Sequence, residues 1–217
     1  MSRTPPNSTA PSPGSPTWLD LLGQVLAEDR AAAGRPPSSL LETRVSLEVL
    51  AACGVTAAAV PVQVVIFNAP LAADIRARGS LPTEQEMSAW MAAISGGATV
   101  GLGFGEDVPG AWAGHLVVMT HDGLLFDPAL CIAASMAADL SLPHSLVRSV
   151  TPGFRNATQL DAFPVDDCLA AYQRTENARY RDLPAWSDEA VRAPIVRRVL
   201  QRLAAAGAIP PRTIPTH

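Results

Sequence analysis

The stretch that most constrains the fold of this chain runs from Gly114 to Leu130, with the sequence GHLVVMTHDGLLFDPAL. Two short apolar runs flank His121-Asp122-Gly123, and Asp-Gly between apolar runs is a strong signal for a β-hairpin. Side chains alternate between the two faces of a strand, so the loop length decides which residues share a face. His115 opens the first run and Asp127 ends the second, so the loop length also decides whether these two side chains meet.

Two loop lengths are compatible with this sequence. A two-residue loop, Asp122-Gly123, would turn Asp127 away from the face that carries His115. A three-residue loop, His121-Asp122-Gly123, would make Asp127 the diagonal neighbour of His115 on one face, within reach of a hydrogen bond. The longer loop needs a left-handed residue at its last position, where Gly123 stands, and this favours the three-residue loop.

A histidine oriented by a carboxylate is the general-base half of a nucleophilic triad. The same residues also have a purely structural interpretation. A histidine on a half-buried strand is often a core residue with satisfied hydrogen bonds. Asp127 precedes Pro128, and the residue before a proline is held in extended geometry, which is ordinary at the end of a strand.

The composition indicates a globular protein. The chain has 217 residues, enough for one domain with a substantial core, and 48% of them are hydrophobic against 17% charged. The net charge of −4 gives no reason to expect a nucleic-acid surface or a cationic membrane face. We therefore expect neither a nucleic-acid nor a membrane partner, since no apolar run reaches the ~18 residues that span a bilayer.

The three cysteines, Cys53, Cys131 and Cys168, are far apart and form no CxxC motif, so we expect neither a zinc knuckle nor a dithiol redox site. A sparse, odd number of cysteines without a signal peptide predicts a reducing compartment and a cytoplasmic location. Cys131 is interpreted first as a small buried hydrophobe, although it could approach His115. Cys168 follows two carboxylates that would raise its pKa, so we expect it to be unreactive.

Residues 1–16 are rich in Pro, Ser and Thr, and we expect a disordered tail followed by a single globular domain over 17–217. The tail either has no function or is an address read by a secretion or partner system. The domain begins with a helix from Thr17 to about Ala33, because Thr17 and Asp20 resemble a capping box.

A second helix is predicted from Ser38 to Cys53, with Ser39 as its N-cap and Glu42 as the capping-box partner. Its second half, LEVLAACGV, is apolar nearly all round, which indicates a buried helix, and Gly54 ends it. A strand over 57–67 follows, with Pro61 marking an edge or a bulge.

The later elements are predicted from the same kinds of pattern. They are a possible helical turn over 72–78, a helix over 83–94 capped by Thr83 and Glu86, a flexible glycine-rich loop over 101–105, a short helix over 131–139, a strand over 146–150, a helix that Asp166-Asp167 starts and that runs through Tyr172, and a last helix over 194–206. Four arginines would give the last helix a basic, solvated outer face: Arg192, Arg197, Arg198 and Arg202.

Three segments together resemble the transglutaminase-like, papain-like superfamily of thiol enzymes, over about residues 38–129. LEVLAACGV, residues 47–55, resembles the end of the family's buried helix, His115-Leu-Val-Val resembles its histidine strand, and Phe126-Asp127-Pro128 resembles its aspartate strand. The resemblance implies an α+β fold in which a buried N-terminal helix packs on a small antiparallel sheet, with extra flanking helices.

The chain departs from the family at the nucleophile. The family's cysteine lies at the first turn of the buried helix, about four turns before its glycine, and counting back from Gly54 leads to Ser39. Cys53 lies at the other end of the helix. The resemblance therefore implies a Ser39–His115–Asp127 arrangement, whereas the capping rule explains Ser39 as a helix N-cap alone. Ser38 and Thr43 are weaker candidates on the same turn.

Three classes of function remain open. The first is a hydrolase or acyl transferase that acts on an amide or ester through the serine arrangement. The second is a catalytically inactive relative of the transglutaminase-like enzymes, which would bind a peptide or protein in the cleft where those enzymes bind their substrate. The third is a small-molecule binding domain of unrelated topology. The expected partner is a peptide, a protein or a small acyl substrate.

No cofactor is expected. A metal site formed by His115, His121 and Asp122 is disfavoured, because His121 and Asp122 would lie at the exposed tip of the hairpin, away from His115.

Overall fold

The computed structural model describes residues 11–105, 111–137, 140–157 and 159–210, with residue 84 described by its backbone alone. The expectation of a disordered tail falls largely on residues 1–10, which lie outside the described residues. At the other end of the predicted tail, Pro16 is already helical.

Helices and strands alternate irregularly along the chain. The α-helices are α1 Pro16–Ala32, α2 Ser39–Ala52, α3 Ala69–Arg78, α4 Glu84–Ala93, α5 Pro152–Arg155, α6 Pro184–Ser187 and α7 Glu189–Ala205, with short 3-10 helices at Leu130–Ser135 and Arg179–Asp182. The strands are β1 Ala57–Phe67, β2 Thr99–Leu102, β3 His115–Thr120, β4 Leu124–Asp127, β5 Leu146–Ser149, β6 Asp161–Val165 and β7 Cys168–Arg174.

The strands form one seven-stranded sheet in the order β5-β4-β3-β1-β7-β6, with β2 paired to β1. All the pairings are antiparallel. The protein therefore has an α+β fold, as the sequence predicts, but its sheet is larger than the small sheet expected. Within the described residues, every helix is too short or too polar to cross a membrane.

The central strand β1 is also the strand that carries a proline. Val62 to Phe67 pair with β7, and Pro61, one residue beyond that pairing, lies opposite Leu116 of β3. On the β7 side the carbonyl of Pro61 accepts a 2.9 Å hydrogen bond from the amide of Thr175, the residue after β7. Pro61 therefore lies where the β1–β7 ladder ends, a position at which a strand tolerates the missing N–H of a proline.

The hairpin of β3 and β4 has the register of a three-residue loop. Val118 lies opposite Phe126 and Met119 opposite Leu125. Gly123 has a φ of 82°, so the left-handed position at the end of the loop is filled by glycine, as the sequence predicts.

Helices α1, α2 and α7 pack together on the sheet face that carries Val118 and Phe126. The opposite face carries Val117 and Leu125, which belong to a second apolar cluster. The predicted inward residues of α7 are buried against the first cluster: Ile195, Val199, Leu200 and Leu203.

The starts of α1 and α2 differ from the predicted capping boxes. In α1 the cap is Ser15 rather than Thr17, because Pro16 fits the first helical position, where its fixed φ is already helical and no N–H is needed. In α2 the cap is Ser38, whose hydroxyl accepts a 3.3 Å hydrogen bond from the amide of Leu41. Ser39 is therefore the first helical residue and not the cap.

Two later predictions are wrong. Asp166 and Asp167 do not start a helix: they form the turn between β6 and β7, and Asp166 has a φ of 49°. The glycine-rich run begins as a strand, since Gly101 pairs with Val65. Gly103 has a φ of 82°, and a Cβ there would lie 2.5 Å from the carbonyl oxygen of Val62.

The basic face of α7 is not simply solvated, and the helix begins at Glu189, upstream of Pro194. Arg192 is buried and donates a 2.8 Å hydrogen bond to Glu48 of α2. Arg198 makes two hydrogen bonds, of 2.6 and 3.0 Å, to the buried carboxylate of Asp29 in α1. These arginines therefore hold the three helices together.

Candidate functional site

His115 and Asp127 meet in the protein interior. Nε2 of His115 lies 2.8 Å from Oδ2 of Asp127, and the two side chains are 2% and 0% exposed. His115 is the first residue of β3 and Asp127 the last of β4, so the pair lies at one end of the hairpin. The three-residue loop produces this contact because it places both side chains on one face of the sheet.

Asp127 accepts hydrogen bonds from two further donors. The backbone amide of Ala129 donates to Oδ1 at 3.0 Å, and the hydroxyl of Tyr172 donates to Oδ2 at 3.0 Å. An ionised carboxylate only accepts hydrogen bonds, so the proton between it and His115 belongs to Nε2. In neutral His115 the lone pair then lies on Nδ1, which is the atom that would act as a base.

Tyr172 is a member of this site that the sequence analysis missed. It lies on β7, is fully buried, and burial together with the nearby charge of Asp127 raises its pKa well above the ordinary range. It therefore stays a hydrogen-bond donor. The signal that could have found it is the apolar alternation on either side of Asp166-Asp167, which is typical of a hairpin.

The N-terminal part of α2 contacts β3 next to His115. The hydroxyl of Thr43 donates a 3.0 Å hydrogen bond to the carbonyl of Leu116, the residue after His115. Thr43, a weaker candidate nucleophile, is therefore occupied in packing α2 onto β3. Ser38 is occupied in capping the helix.

Ser39 is buried, and its side chain makes no hydrogen bond with the part of the chain that the structure describes, His115 included. It lines a cavity of about 510 Å³, together with Gly114, the residue before His115. The amides of Ser39 and Leu40 precede the first intrahelical donor of α2, which is Glu42, so neither has an acceptor within the helix.

Glu42 points into the interior rather than capping the helix. Its Oε1 accepts a 2.7 Å hydrogen bond from Arg30 of α1, and its Oε2 is buried without a hydrogen-bond partner among the residues that the structure describes. Burial raises the pKa of Glu42 to about 7, Arg30 and Arg35 oppose this, and the charge of Asp127 adds to it.

None of the three cysteines takes the place of a nucleophile. Cys131 is half-buried, its sulfur accepts a 3.3 Å hydrogen bond from Arg30, and burial raises its pKa. Cys53 is the C-cap of α2, at the far end from Ser39, and burial also raises its pKa. Cys168 is buried in β7. A raised pKa disfavours the reactive thiolate.

His121 and Asp122 lie at the tip of the hairpin, where their side chains are 84% and 91% exposed, while His115 is buried. They cannot share a metal ion with His115. Among the described residues, no group of three or more His, Cys, Asp or Glu side chains is arranged to hold a metal.

Comparison with known proteins gives no match for this chain among protein-family models, curated proteins or solved structures.

Proposed function

We propose that the protein is a hydrolase or acyl transferase with a transglutaminase-like, papain-like core, which acts on an amide or ester through Ser39, His115 and Asp127. The observation that carries this proposal is the 2.8 Å hydrogen bond between His115 and Asp127 in the interior, together with a cavity that Ser39 lines with Gly114, the residue before His115. A buried carboxylate that fixes the tautomer of a histidine is the arrangement that activates a hydroxyl nucleophile.

In the proposed reaction, Oγ of Ser39 attacks the carbonyl carbon of the substrate while Nδ1 of His115 takes the hydroxyl proton. The tetrahedral intermediate collapses to an acyl-serine, and the proton on Nδ1 passes to the leaving nitrogen or oxygen. Water, or the amine or alcohol of a second substrate, then attacks the acyl carbon while Nδ1 takes its proton. The second tetrahedral intermediate expels Oγ of Ser39, which regains the proton from Nδ1 as the product leaves. Asp127 stabilises the imidazolium at each step.

The start of α2 supplies the other requirement of such a reaction. The carbonyl oxygen becomes an oxyanion in the intermediate and needs hydrogen-bond donors. The amides of Ser39 and Leu40 have no acceptor within the helix, and the positive end of the helix dipole favours an anion there. The stabilisation costs little, because these donors are held by the helix before the substrate arrives.

The alternative is a catalytically inactive relative that binds a peptide or protein in the cleft. One observation favours it: His115 shares a face of the sheet with Val117, whereas α2 packs on the face that carries Val118. Ser39 and His115 would then be neighbours without acting together, and the buried pair would only stabilise the hairpin. The chain also has serine where the resembled family has its reactive thiol.

A fluorophosphonate probe separates the two candidates, because it phosphonylates only an activated serine. We expect stoichiometric labelling of Ser39 in the full chain, located by peptide mass spectrometry. Labelling should disappear in Ser39→Ala and fall at least about a hundredfold in His115→Ala, in line with the loss of a general base.

Ser38→Ala is the matched control, since Ser38 borders the same cavity but its hydroxyl caps the helix. This variant should lose about 1 kcal/mol of stability and keep its labelling. A folded wild-type protein that stays unlabelled, or labelling that persists in Ser39→Ala, would contradict the serine mechanism and favour the binding protein.

A further inference from the structure

The hydrogen bonds of β3 show which way the carbonyl group of Leu116 points. The amide of His121 donates a 3.0 Å hydrogen bond to the carbonyl of Thr56, which continues the register of β1 and β3. In an antiparallel pair, residues that bond the partner strand alternate with residues that bond the other side. The backbone groups of Leu116 and Val118 therefore point away from β1 and toward β4.

The ladder between β3 and β4 ends before it reaches this carbonyl. Val118 lies opposite Phe126, so the residue that would face Leu116 is residue 128. Pro128 stands there and has no N–H to donate, and β4 has already ended at Asp127. Because a buried carbonyl without a donor costs free energy, this end of β3 offers an acceptor to another part of the protein.

Helix α2 supplies the missing donor. Thr43 is fully buried, and its hydroxyl donates a 3.0 Å hydrogen bond to the carbonyl of Leu116. Val45 and Val49 of α2 belong to the same apolar cluster as Val118 of β3. Apolar contacts are non-directional, whereas a hydrogen bond is restricted in distance and angle. The hydroxyl of Thr43 therefore fixes the position of the helix along the strand.

This contact lies one helical turn from Ser39 and one residue from His115. Thr43 follows Ser39 by four positions, so the two residues lie on one side of α2, about 6 Å apart along the helix axis. Leu116 follows His115 directly. A shift of α2 along β3 would move Ser39 relative to His115, and a misplacement of about 1 Å can cost a hundredfold in rate.

Resting on the proposed function, we infer that Thr43 is a positioning residue, which holds the hydroxyl of Ser39 in place relative to the ring of His115. It acts through its hydrogen bond to the carbonyl of Leu116, and Pro128 leaves that carbonyl free for it. Thr43 is not among the described residues that line the cavity beside Ser39, so it acts without touching the substrate.

Thr43→Val tests the inference, because valine has the shape of threonine without the hydroxyl. In fluorophosphonate labelling of the full chain, the rate constant at saturating probe, kinact, should fall at least about tenfold. The probe concentration that gives half of this rate should change by less than about twofold, because the cavity itself is unaltered. Thr43→Ser keeps the hydroxyl and should restore most of the lost rate.

Ser46→Ala is the matched control. Ser46 is also fully buried on α2, but its hydroxyl donates a 2.6 Å hydrogen bond to the carbonyl of Glu42 in the same helix. Its removal deletes a buried hydroxyl without releasing α2 from β3, so kinact should stay within about twofold of the wild type. An unchanged kinact in Thr43→Val, or equal losses in Thr43→Val and Ser46→Ala, would overturn the inference and leave the serine mechanism standing.

Hydrogen exchange tests the contact even if Ser39 is unreactive. The amides of residues 41–46, followed by mass spectrometry in the full chain, should exchange about fivefold faster in Thr43→Val than in the wild type or Ser46→Ala, because the start of α2 opens more easily. Faster exchange together with an unlabelled wild type would support the docking contact and reject the serine mechanism. Unchanged exchange in Thr43→Val would overturn the inference whatever the labelling shows.

Discussion

The hydroxyl of Tyr172 donates a 3.0 Å hydrogen bond to Asp127, the same carboxyl group that binds the ring of His115. Tyr172 lies on β7 and Asp127 on β4, with β1 and β3 between them in the sheet. The carboxyl group is thus fixed from two directions, because the amide of Ala129 holds its other oxygen. This contact makes the orientation of His115 depend on a strand far away in the sequence.

Removal of this donor should weaken both the fold and the site. Tyr172→Phe keeps the ring but leaves Asp127 with one donor fewer in a fully buried position. We expect a loss of about 1–3 kcal/mol in the free energy of unfolding, measured with urea, and slower labelling of Ser39. Tyr180→Phe is the control, since the one hydrogen bond of the Tyr180 hydroxyl within the described residues is from Arg181, at 3.4 Å, and it should change stability by less than about 0.5 kcal/mol. Equal effects of the two variants would contradict the role given to Tyr172.

Ser39→Cys should create a reactive thiol if the start of α2 and His115 act together. A thiol at a helix N-terminus beside a histidine has a lowered pKa, whereas burial raises the pKa of Cys53 and Cys131. We expect the new cysteine to react with iodoacetamide below pH 7 at least about tenfold faster than the native thiols. The double variant Ser39→Cys, His115→Ala should lose this acceleration. A new thiol that reacts no faster than the others would indicate that His115 does not reach it.

Glu42 should make the protein less stable as the pH rises from about 4.5 to about 7. Its pKa rises from 4.5 to about 7 on folding, chiefly through burial, so over this range the folded protein keeps a proton that the unfolded chain releases. The stabilisation is complete below pH 4.5 and is lost as the pH passes through about 7. At about 1.4 kcal/mol per pKa unit, it amounts to about 3 kcal/mol.

Glu42→Gln is the direct test, because the amide still accepts a hydrogen bond from Arg30 but cannot ionise. Its free energy of unfolding, measured in urea at a series of pH values, should lack the decline between pH 4.5 and 7. Glu28→Gln, at an exposed position on the neighbouring helix, should retain the decline. An unchanged pH profile in Glu42→Gln would show that another group is responsible.

Gly103 and Gly54 form a matched pair for backbone effects. Both have left-handed φ values, of 82° and 76°, but a Cβ on Gly103 would meet the carbonyl of Val62 at 2.5 Å, whereas a Cβ on Gly54 would meet no atom of the described residues within 4 Å. Gly54→Ala should cost about 1–2 kcal/mol through backbone strain alone. Gly103→Ala should cost clearly more, because β1 must also move. Thermal or urea unfolding compares them, and equal costs would argue against the close approach.

The sequence by itself determined the features that depend on residues close together in the chain. The register of the β3–β4 hairpin follows from Gly123, since one left-handed residue selects the three-residue loop and the loop brings His115 to Asp127. The end of α2 at Gly54 and the capping box of Thr83 and Glu86 are equally local, and the sequence predicts them correctly. These features depend on residues within a few positions of one another.

The tertiary structure alone decided the partners of the buried polar groups. Glu42 fits a capping box by spacing, but it bonds Arg30, because a second helix packs against this side of α2. Arg198 has the spacing of a solvated residue on a basic helix face, but Asp29 lies beneath it, 169 positions away in the chain. Such contacts depend on which surfaces meet after folding, and helical or strand periodicity carries no information about the opposing surface. For the same reason, spacing within the sequence identifies Ser39 as the candidate nucleophile, whereas the hydrogen bond from Tyr172 to Asp127 could be found only in the folded sheet.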